Sequence, residues 1–307
     1  MVQTLLQTRG LTKQYGEFTA LHQVSLALRK GDIYGLVGRN GAGKTTFFKC
    51  VMGLAKPTAG EIEIGDGQNG PNAARRHIGF MISPSFFPYL DPRQNLEYLC
   101  RIKGIREKGE TLRLLELVGL AGVKKPFKAF SLGMKQRLGL AGAMLGRPPV
   151  VVLDEPVNGL DPQGIADIRA VIQRENQERG TTFLVSSHIL SELDLVATRF
   201  GFIEQGNLVQ EITHADLHER TKRSLVIDVD SGDKAAALLR SRLGITDVRA
   251  KGGRLILESH LDRPDAVARV LVSEGVALYR LSPKETTLEE YFMHLIGGVR
   301  NVSLSAR

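Results

Sequence analysis

Gly38-Arg39-Asn40-Gly41-Ala42-Gly43-Lys44-Thr45-Thr46 is the stretch that decides the fold of this 307-residue chain. Before it stands an apolar run, Ile33-Tyr34-Gly35-Leu36-Val37, which reads as a buried parallel strand; after it, Thr45 to Met52 reads as a helix. Strand, glycine-rich loop and helix form the order that a phosphate-binding loop requires. Glycines let the backbone curl with its N–H groups inward, a concave nest for phosphate oxygens. The following helix adds unpaired N–H groups and the positive end of its dipole. In such a loop Lys44 reaches the β- and γ-phosphates, the Thr45 hydroxyl ligates Mg²⁺, and Thr46 meets the phosphates from the first helical turn. The stretch predicts an α/β fold that binds a nucleoside triphosphate.

A second apolar run, Val150-Val151-Val152-Leu153, ends in Asp154-Glu155-Pro156. It reads as a buried parallel strand delivering two carboxylates to its C-terminal edge, where open α/β sheets bind ligands. Asp154 suits a second Mg²⁺ contact, and Glu155 suits polarising a water against the γ-phosphate. Thr182 to Ser186 is a β-branched strand with His188 at its end, placed to touch the γ-phosphate.

Composition narrows the class. The apolar runs are strand-sized and too short to span a bilayer. Met1 to Gly10 lacks the basic start and apolar core of a signal peptide, so a cytosolic chain is expected. Cys50 and Cys100 show no metal or redox spacing and read as free thiols in a reducing compartment. The formal net charge is +8, with basic residues scattered rather than clustered, which argues against a nucleic-acid face.

Around these motifs, Leu5–Thr8 and Val24–Leu28 read as strands with Tyr15-Gly16 on a loop between them. Tyr15 is either a base-stacking aromatic or an ordinary half-buried tyrosine. Ser83-Pro84-Ser85-Phe86-Phe87-Pro88-Tyr89-Leu90 breaks regular structure, and its aromatics read equally as a docking surface or as a satellite core. Asn95–Lys103 and Thr111–Val118 are helical by spacing. Ser131 is an N-cap for a helix running to Gly146, and Pro162–Arg179 is another helix. Phe200–Glu204 and Leu208–Glu211 form a hairpin over Gly206-Asn207. His214 and His218 stand at i,i+4, but no third metal ligand is evident.

Taken together these residues resemble an ATP-binding-cassette (ABC) ATPase, the motor half of an ABC transporter. Gly38 to Thr46 resembles Walker A, Val151 to Glu155 Walker B, and Ser131-Leu132-Gly133-Met134-Lys135-Gln136 the signature motif. Gly159-Leu160-Asp161 resembles the D-loop, His188 the switch histidine, and Tyr15 falls at the adenine-stacking position. The resemblance implies ATP and Mg²⁺ as cofactors. Tyr15, Gly38 to Thr46, Ser131, Gly133 and Asp161 are then nucleotide contacts, Thr45 and Asp154 metal ligands, and Glu155 and His188 the catalytic pair. It also implies a head-to-tail dimer, expected to be a homodimer, a separate membrane permease, and a place at the inner face of the cell membrane. Three positions depart from the usual pattern: Leu132 and Met134 in the signature, and Ser83 where a Mg²⁺-binding glutamine usually stands. Phe130–Gly139 and Met81–Leu90 are similar to ATPases of bacitracin- and lantibiotic-type self-protection exporters, which implies antibiotic resistance by export of a peptide or other amphiphile. The other reading is a non-transport cassette acting on ribosomes or DNA.

The expected organisation is a cassette over residues 1–217, with a helical subdomain at about 86–147, and an accessory domain over 222–307. In the latter, strand 225–229, helix 233–243, a hairpin of 245–250 and 255–258, helix 264–274 and strand 276–281 give the β-α-β-β-α-β order of a small ferredoxin-like α+β fold. Thr287–Ile296 reads as a final amphipathic helix.

Overall fold

The computed structural model describes residues 3–65, 75–106, 109–221, 224–258, 260, 262–284, 288–293 and 295. The chain divides into two compact units, Met1–His214 and Ala215–Arg307.

The first unit begins with a long antiparallel hairpin of β1 (Thr4–Tyr15) and β2 (Phe18–Arg29). Both strands run well beyond the expected pieces, because register shifts between Thr8 and Leu11 and between Leu11 and Lys13 break the alternation that marks a strand. Tyr15 pairs with Phe18 over the two-residue turn Gly16-Glu17, so it ends a strand rather than lying in a loop. Then come β3 (Ile33–Val37), α1 (Lys44–Val51), β4 (Ala59–Ile64) and β5 (Ile78–Met81). Three helices follow, α2 (Pro92–Lys103), α3 (Glu110–Leu117) and α4 (Leu132–Met144). The unit closes with β6 (Val150–Leu153), α5 (Pro162–Arg179), β7 (Thr182–Ser187), α6 (Leu190–Asp194), β8 (Arg199–Glu204) and β9 (Asn207–Thr213). The turn between β8 and β9 is Gln205-Gly206, one residue earlier than expected; both have positive φ, 48° and 77°, as a two-residue turn of the primed type demands.

Six of these strands form one sheet in the order β5-β6-β7-β3-β8-β9, parallel except for β9. Strands β3, β6 and β7 are buried along their whole length, which is why they read as continuous apolar runs. Val37 lies opposite Ser187, and Leu153 opposite Val185. This register brings the C-terminal ends of β3, β6 and β7 out together at one edge. A second sheet, β2-β1-β4, is antiparallel. Helix α1 sits in the core shared by both sheets: Phe47, Phe48 and Val51 pack with Leu6, Leu11 and Leu21 on one side and Leu36, Val152 and Leu184 on the other. Burying each phenylalanine contributes about 2–3 kcal/mol, and it anchors the loop at the head of the helix.

The helical part is tied down by polar contacts. Asp91 and Gln94 cap α2 reciprocally, with Pro92 at its first position. The buried Asn95 amide accepts from the Phe87 N–H at 2.9 Å and donates to the Phe87, Leu90 and Asp91 carbonyls, pinning the connector before the helix. Within that connector Phe86 packs on Phe127, ring centres 5.3 Å apart, and on α4 at Gly142. Phe87 is 47% exposed and meets Tyr98 edge-on, and Tyr89 is exposed. The aromatics therefore divide: Phe86 fills a satellite core while Phe87 and Tyr89 face outward. A Cβ at Gly139 would run into the Met81 sulfur, and one at Gly142 would lie 3.1 Å from Phe86, so glycine lets α4 press directly on β5 and the connector.

Arg113 joins α3 to α5. Its guanidinium donates to Glu110 at 2.9 Å and to Glu175 at 2.8 Å, and Arg147 also reaches Glu110. Burial pushes the Glu110 carboxyl up, but the hydrogen bonds and charges of Arg113 and Arg147 outweigh it and hold it below the usual glutamate range. With a folded pKa below the unfolded value of about 4.3, its contribution is full above that pH and is lost as pH falls through the folded value. Thermal unfolding should therefore show stability falling below about pH 4.5. Glu110→Gln is expected to flatten this part of the profile and to cost about 2 kcal/mol at neutral pH. An unchanged acid limb would exclude Glu110 as a source.

In the second unit, α7 (His214–Arg220), which begins one residue earlier, is followed by β10 (Ser224–Val229), α8 (Gly232–Leu243), β11 (Arg249–Lys251), β12 (Arg254–Leu257), α9 (Pro264–Ser273) and β13 (Leu278–Lys284). The element order from β10 on is β-α-β-β-α-β, and the sheet is antiparallel in the order β11-β12-β10-β13. Strand β11 is shorter than the expected 245–250. Residues 288–293 are helical, whereas Thr287 and Ile296, the expected ends of that helix, lie outside the described residues. Leu225, Ile227, Leu239, Leu255 and Val267 belong to a core distinct from that of the first unit. A chain ending at Thr221 is expected to stay soluble, unfold cooperatively and bind ATP. Aggregation of that truncated chain would show that its core is incomplete. Among the described residues no helix is long and apolar enough to cross a membrane.

Candidate active site

The loop after β3 curls because glycine occupies its critical positions. Gly41 and Gly43 have φ of 81° and 110°. Gly38 lies so close to the Ile203 carbonyl that a Cβ would collide with it, and a Cβ on Gly43 would lie 2.7 Å from the Ala20 carbonyl. Arg39 and Asn40 are exposed, Ala42 is buried, and the Ala42 carbonyl accepts from the Gly206 N–H at 2.9 Å. Gly43 begins α1 with no side-chain cap, which leaves first-turn N–H groups for an incoming anion. Thr46 is half-buried in that turn.

Lys44 is only 6% exposed. Its ammonium donates to the Gly38 carbonyl at 2.6 Å and the Arg39 carbonyl at 3.2 Å, and pairs with the Glu155 carboxylate at 3.1 Å. The Thr45 hydroxyl donates to Asp154 Oδ2 at 2.7 Å. Asp154, at the end of β6, is buried, and its N–H donates to the Met81 carbonyl. The other carboxylate oxygen, Oδ1, accepts from the Ser186 hydroxyl at 2.6 Å. A carboxylate and a hydroxyl this close form a hard oxygen donor set that suits Mg²⁺.

Glu155 adopts φ 48°, left-handed for a residue with a Cβ, at a cost of about 1–3 kcal/mol. Its N–H donates to Ser186 Oγ at 2.8 Å. Its Oε2 lies 2.8 Å from His188 Nδ1 while Oε1 faces Lys44. The edge of one sheet thus brings together Lys44, Thr45, Asp154, Glu155 and His188. The sequence reading missed Ser186. A serine at the outer end of the buried strand Thr182-Phe183-Leu184-Val185-Ser186 was the available signal.

Tyr15 ends β1, paired with the strand whose Ala20 carbonyl lies beside Gly43 of the phosphate loop, whereas Ser131, Gly133 and Asp161 stand at the starts of α4 and α5. Tyr15 is 48% exposed with the Lys13 ammonium 4.6 Å over its ring. Ser131 caps α4, accepting from the Met134 N–H at 3.3 Å, and Asp161 caps α5, accepting from the Gly164 N–H at 2.9 Å. Gly133 lies beside Leu160, and Leu132 beside Gly159. These contacts join the start of α4 to the loop before α5, and the phosphate loop takes no part in them. Away from the edge, His214 lies 3.0 Å from the Asp194 carbonyl and 3.4 Å from its carboxylate, an acid that the histidine spacing did not reveal.

A family model described as ABC transporter matches residues 21–158. The bacitracin transport ATP-binding protein BcrA of Enterococcus faecalis is 38% identical over 302 residues, covering 97% of this chain and 98% of that protein. This chain belongs to the ABC transporter family. The lantibiotic transport ATP-binding protein SrtF of Streptococcus pyogenes is 41% identical over 209 residues, 67% of this chain and 90% of that protein. The dimeric structure of MJ0796, a bacterial ABC transporter cassette, superposes with a TM-score of 0.61 at 25% identity, covering 68% of this chain and 99% of that one. As an ABC ATPase, the chain binds and hydrolyses ATP, and it serves a transporter as a subunit without membrane helices among its described residues.

Proposed function

We propose that this ATPase powers export of a peptide antibiotic or related amphiphile through a separate permease, and so sits at the inner face of the cell membrane. The observation that carries the catalytic part is Glu155, held between Lys44 and His188 at the edge that also presents Asp154 and Thr45. On arrival of ATP, Lys44 exchanges its pairing with Glu155 for the β- and γ-phosphates, and the first-turn N–H groups of α1 take the remaining oxygens. Glu155 then accepts a proton from water as it adds to the γ-phosphorus and the bond to ADP breaks, with His188 orienting the carboxylate. Thr45 and Asp154 would hold Mg²⁺, which would supply positive charge to offset that of the triphosphate. Tyr15 offers the ring face away from Lys13 to the adenine.

Ser131, Gly133 and Asp161 are assigned to the partner's nucleotide in a head-to-tail homodimer. The support is that Ser131 is exposed at a helix N-terminus whose neighbours are Gly159 and Leu160, and that a similar cassette forms a dimer. The substrate class is supported by likeness to BcrA along both units of the chain.

The test is affinity purification of the tagged chain from its native membrane, followed by ATPase assays with bacitracin added. A retained membrane protein and peptide-stimulated turnover are expected; a chain that pulls down no membrane protein and ignores the peptide would reject the proposal. Ser83 is exposed in the connector. Water can fill the coordination position of the usual glutamine, because Mg²⁺ dehydrates reluctantly, so Ser83→Ala should leave basal ATPase within about twofold of the parent. A loss much larger than this would make Ser83 a ligand.

A further inference from the structure

We propose that Ser186 is a positioning residue for hydrolysis, holding the Asp154 carboxylate and the Glu155 backbone in one fixed relation. The inference rests on the reading of Glu155 as the residue that activates water. Ser186 is fully buried in β7, where a hydroxyl is costly unless both its donor and its acceptor are used. Both are: it donates to Asp154 Oδ1 at 2.6 Å and accepts from the Glu155 N–H at 2.8 Å. Thr45 takes the second Asp154 oxygen at 2.7 Å, so the carboxylate is fixed from two directions.

The consequence for Glu155 is greater. Its left-handed backbone is strained, and a strained residue persists only where its surroundings over-determine it. The Ser186 acceptor holds its N–H, and His188, two residues further along the chain, holds its carboxylate at 2.8 Å. One strand end therefore grips Glu155 at both backbone and side chain. Without the hydroxyl, the N–H loses its acceptor and the residue can relax toward ordinary φ, turning its carboxylate away from the phosphate edge. Asp154 loses one of the two donors that set its plane.

The experiment compares Ser186→Ala, Ser186→Thr, Glu155→Gln and the double variant Ser186→Ala/Glu155→Gln in the full-length chain, with ATP and Mg²⁺. Ser186→Ala should lower kcat about tenfold, the worth of one well-placed hydrogen bond. ATP affinity and melting temperature should stay close to the parent. Ser186→Thr, which keeps the hydroxyl, should recover most of the turnover. The double variant should fall below Glu155→Gln by much less than the tenfold that Ser186→Ala costs in the parent, because the larger part of the effect passes through Glu155 and the remainder through Asp154. Parental turnover in Ser186→Ala alongside an inactive Glu155→Gln would overturn the proposal and leave the role of Glu155 intact. A Ser186→Ala loss of turnover, affinity and melting temperature together, unrelieved by threonine, would overturn it in favour of plain structural damage. An active Glu155→Gln would remove the reading beneath it, and the proposal with it.

Discussion

Glu155→Gln is expected to hold ATP as tightly as the parent while turnover falls by roughly 10²- to 10⁴-fold, the range for loss of a general base. The amide keeps the size and planarity of the carboxylate, so the contact with His188 at 2.8 Å can be retained in one orientation. What disappears is the negative charge. A neutral amide neither accepts the proton of an attacking water nor pairs with Lys44, which stands 3.1 Å away. Freed from that pairing, Lys44 should favour the phosphates, so the variant should accumulate with ATP bound. If the chain dimerises around nucleotide, the bound form should persist as a dimer in gel filtration. The measurements are steady-state ATPase and calorimetric ATP titration. Turnover within tenfold of the parent would take Glu155 out of the chemistry.

Lys44→Ala should give the opposite division, with binding itself lost. The ammonium is buried at the mouth of the loop and already oriented by the Gly38 and Arg39 carbonyls at 2.6 and 3.2 Å. A charge held in place before the ligand arrives costs little to organise on binding. Removing one charge-assisted contact to phosphate is worth about 1.5–3 kcal/mol, or roughly 10- to 150-fold in ATP affinity. Alanine also leaves the Glu155 carboxylate without its cation, so the site gains net negative charge against a triphosphate. ATP affinity within threefold of the parent would refute the assignment of Lys44.

The phosphate loop was legible in the sequence because its chemistry forces residue types: only glycine fits at Gly38 beside the Ile203 carbonyl, and only a strand followed by a helix presents the nest. The acids were legible because β6 is buried along its length and ends abruptly in Asp154-Glu155. Helix starts at Ser131 and Pro162 were legible from their caps. The first hairpin was only half visible, since its register shifts destroy the period-two pattern on which strand reading depends. Ser186 was missed because its role is a contact 32 positions away in sequence, made across neighbouring strands. The same limit hid the division between Phe86 and Phe87, which depends on what α4 places beneath the connector.

The glycine face of α4 gives the helix the mechanics of a rocker arm. Its fulcrum is the tight contact at Gly139 and Gly142 with Met81, Pro84 and Phe86, and its far end is Ser131, beside the contacts of Leu132 and Gly133 with Gly159 and Leu160. At 1.5 Å per residue, the tip stands about 16 Å from Gly142. A rock of about 10° at the fulcrum therefore sweeps the Ser131 hydroxyl through roughly 3 Å, the length of a hydrogen bond. A tilt of α4 imposed at the connector would therefore reach its other end as a hydrogen-bond-sized displacement of Ser131, against the contacts of Leu132 and Gly133 with the loop before α5.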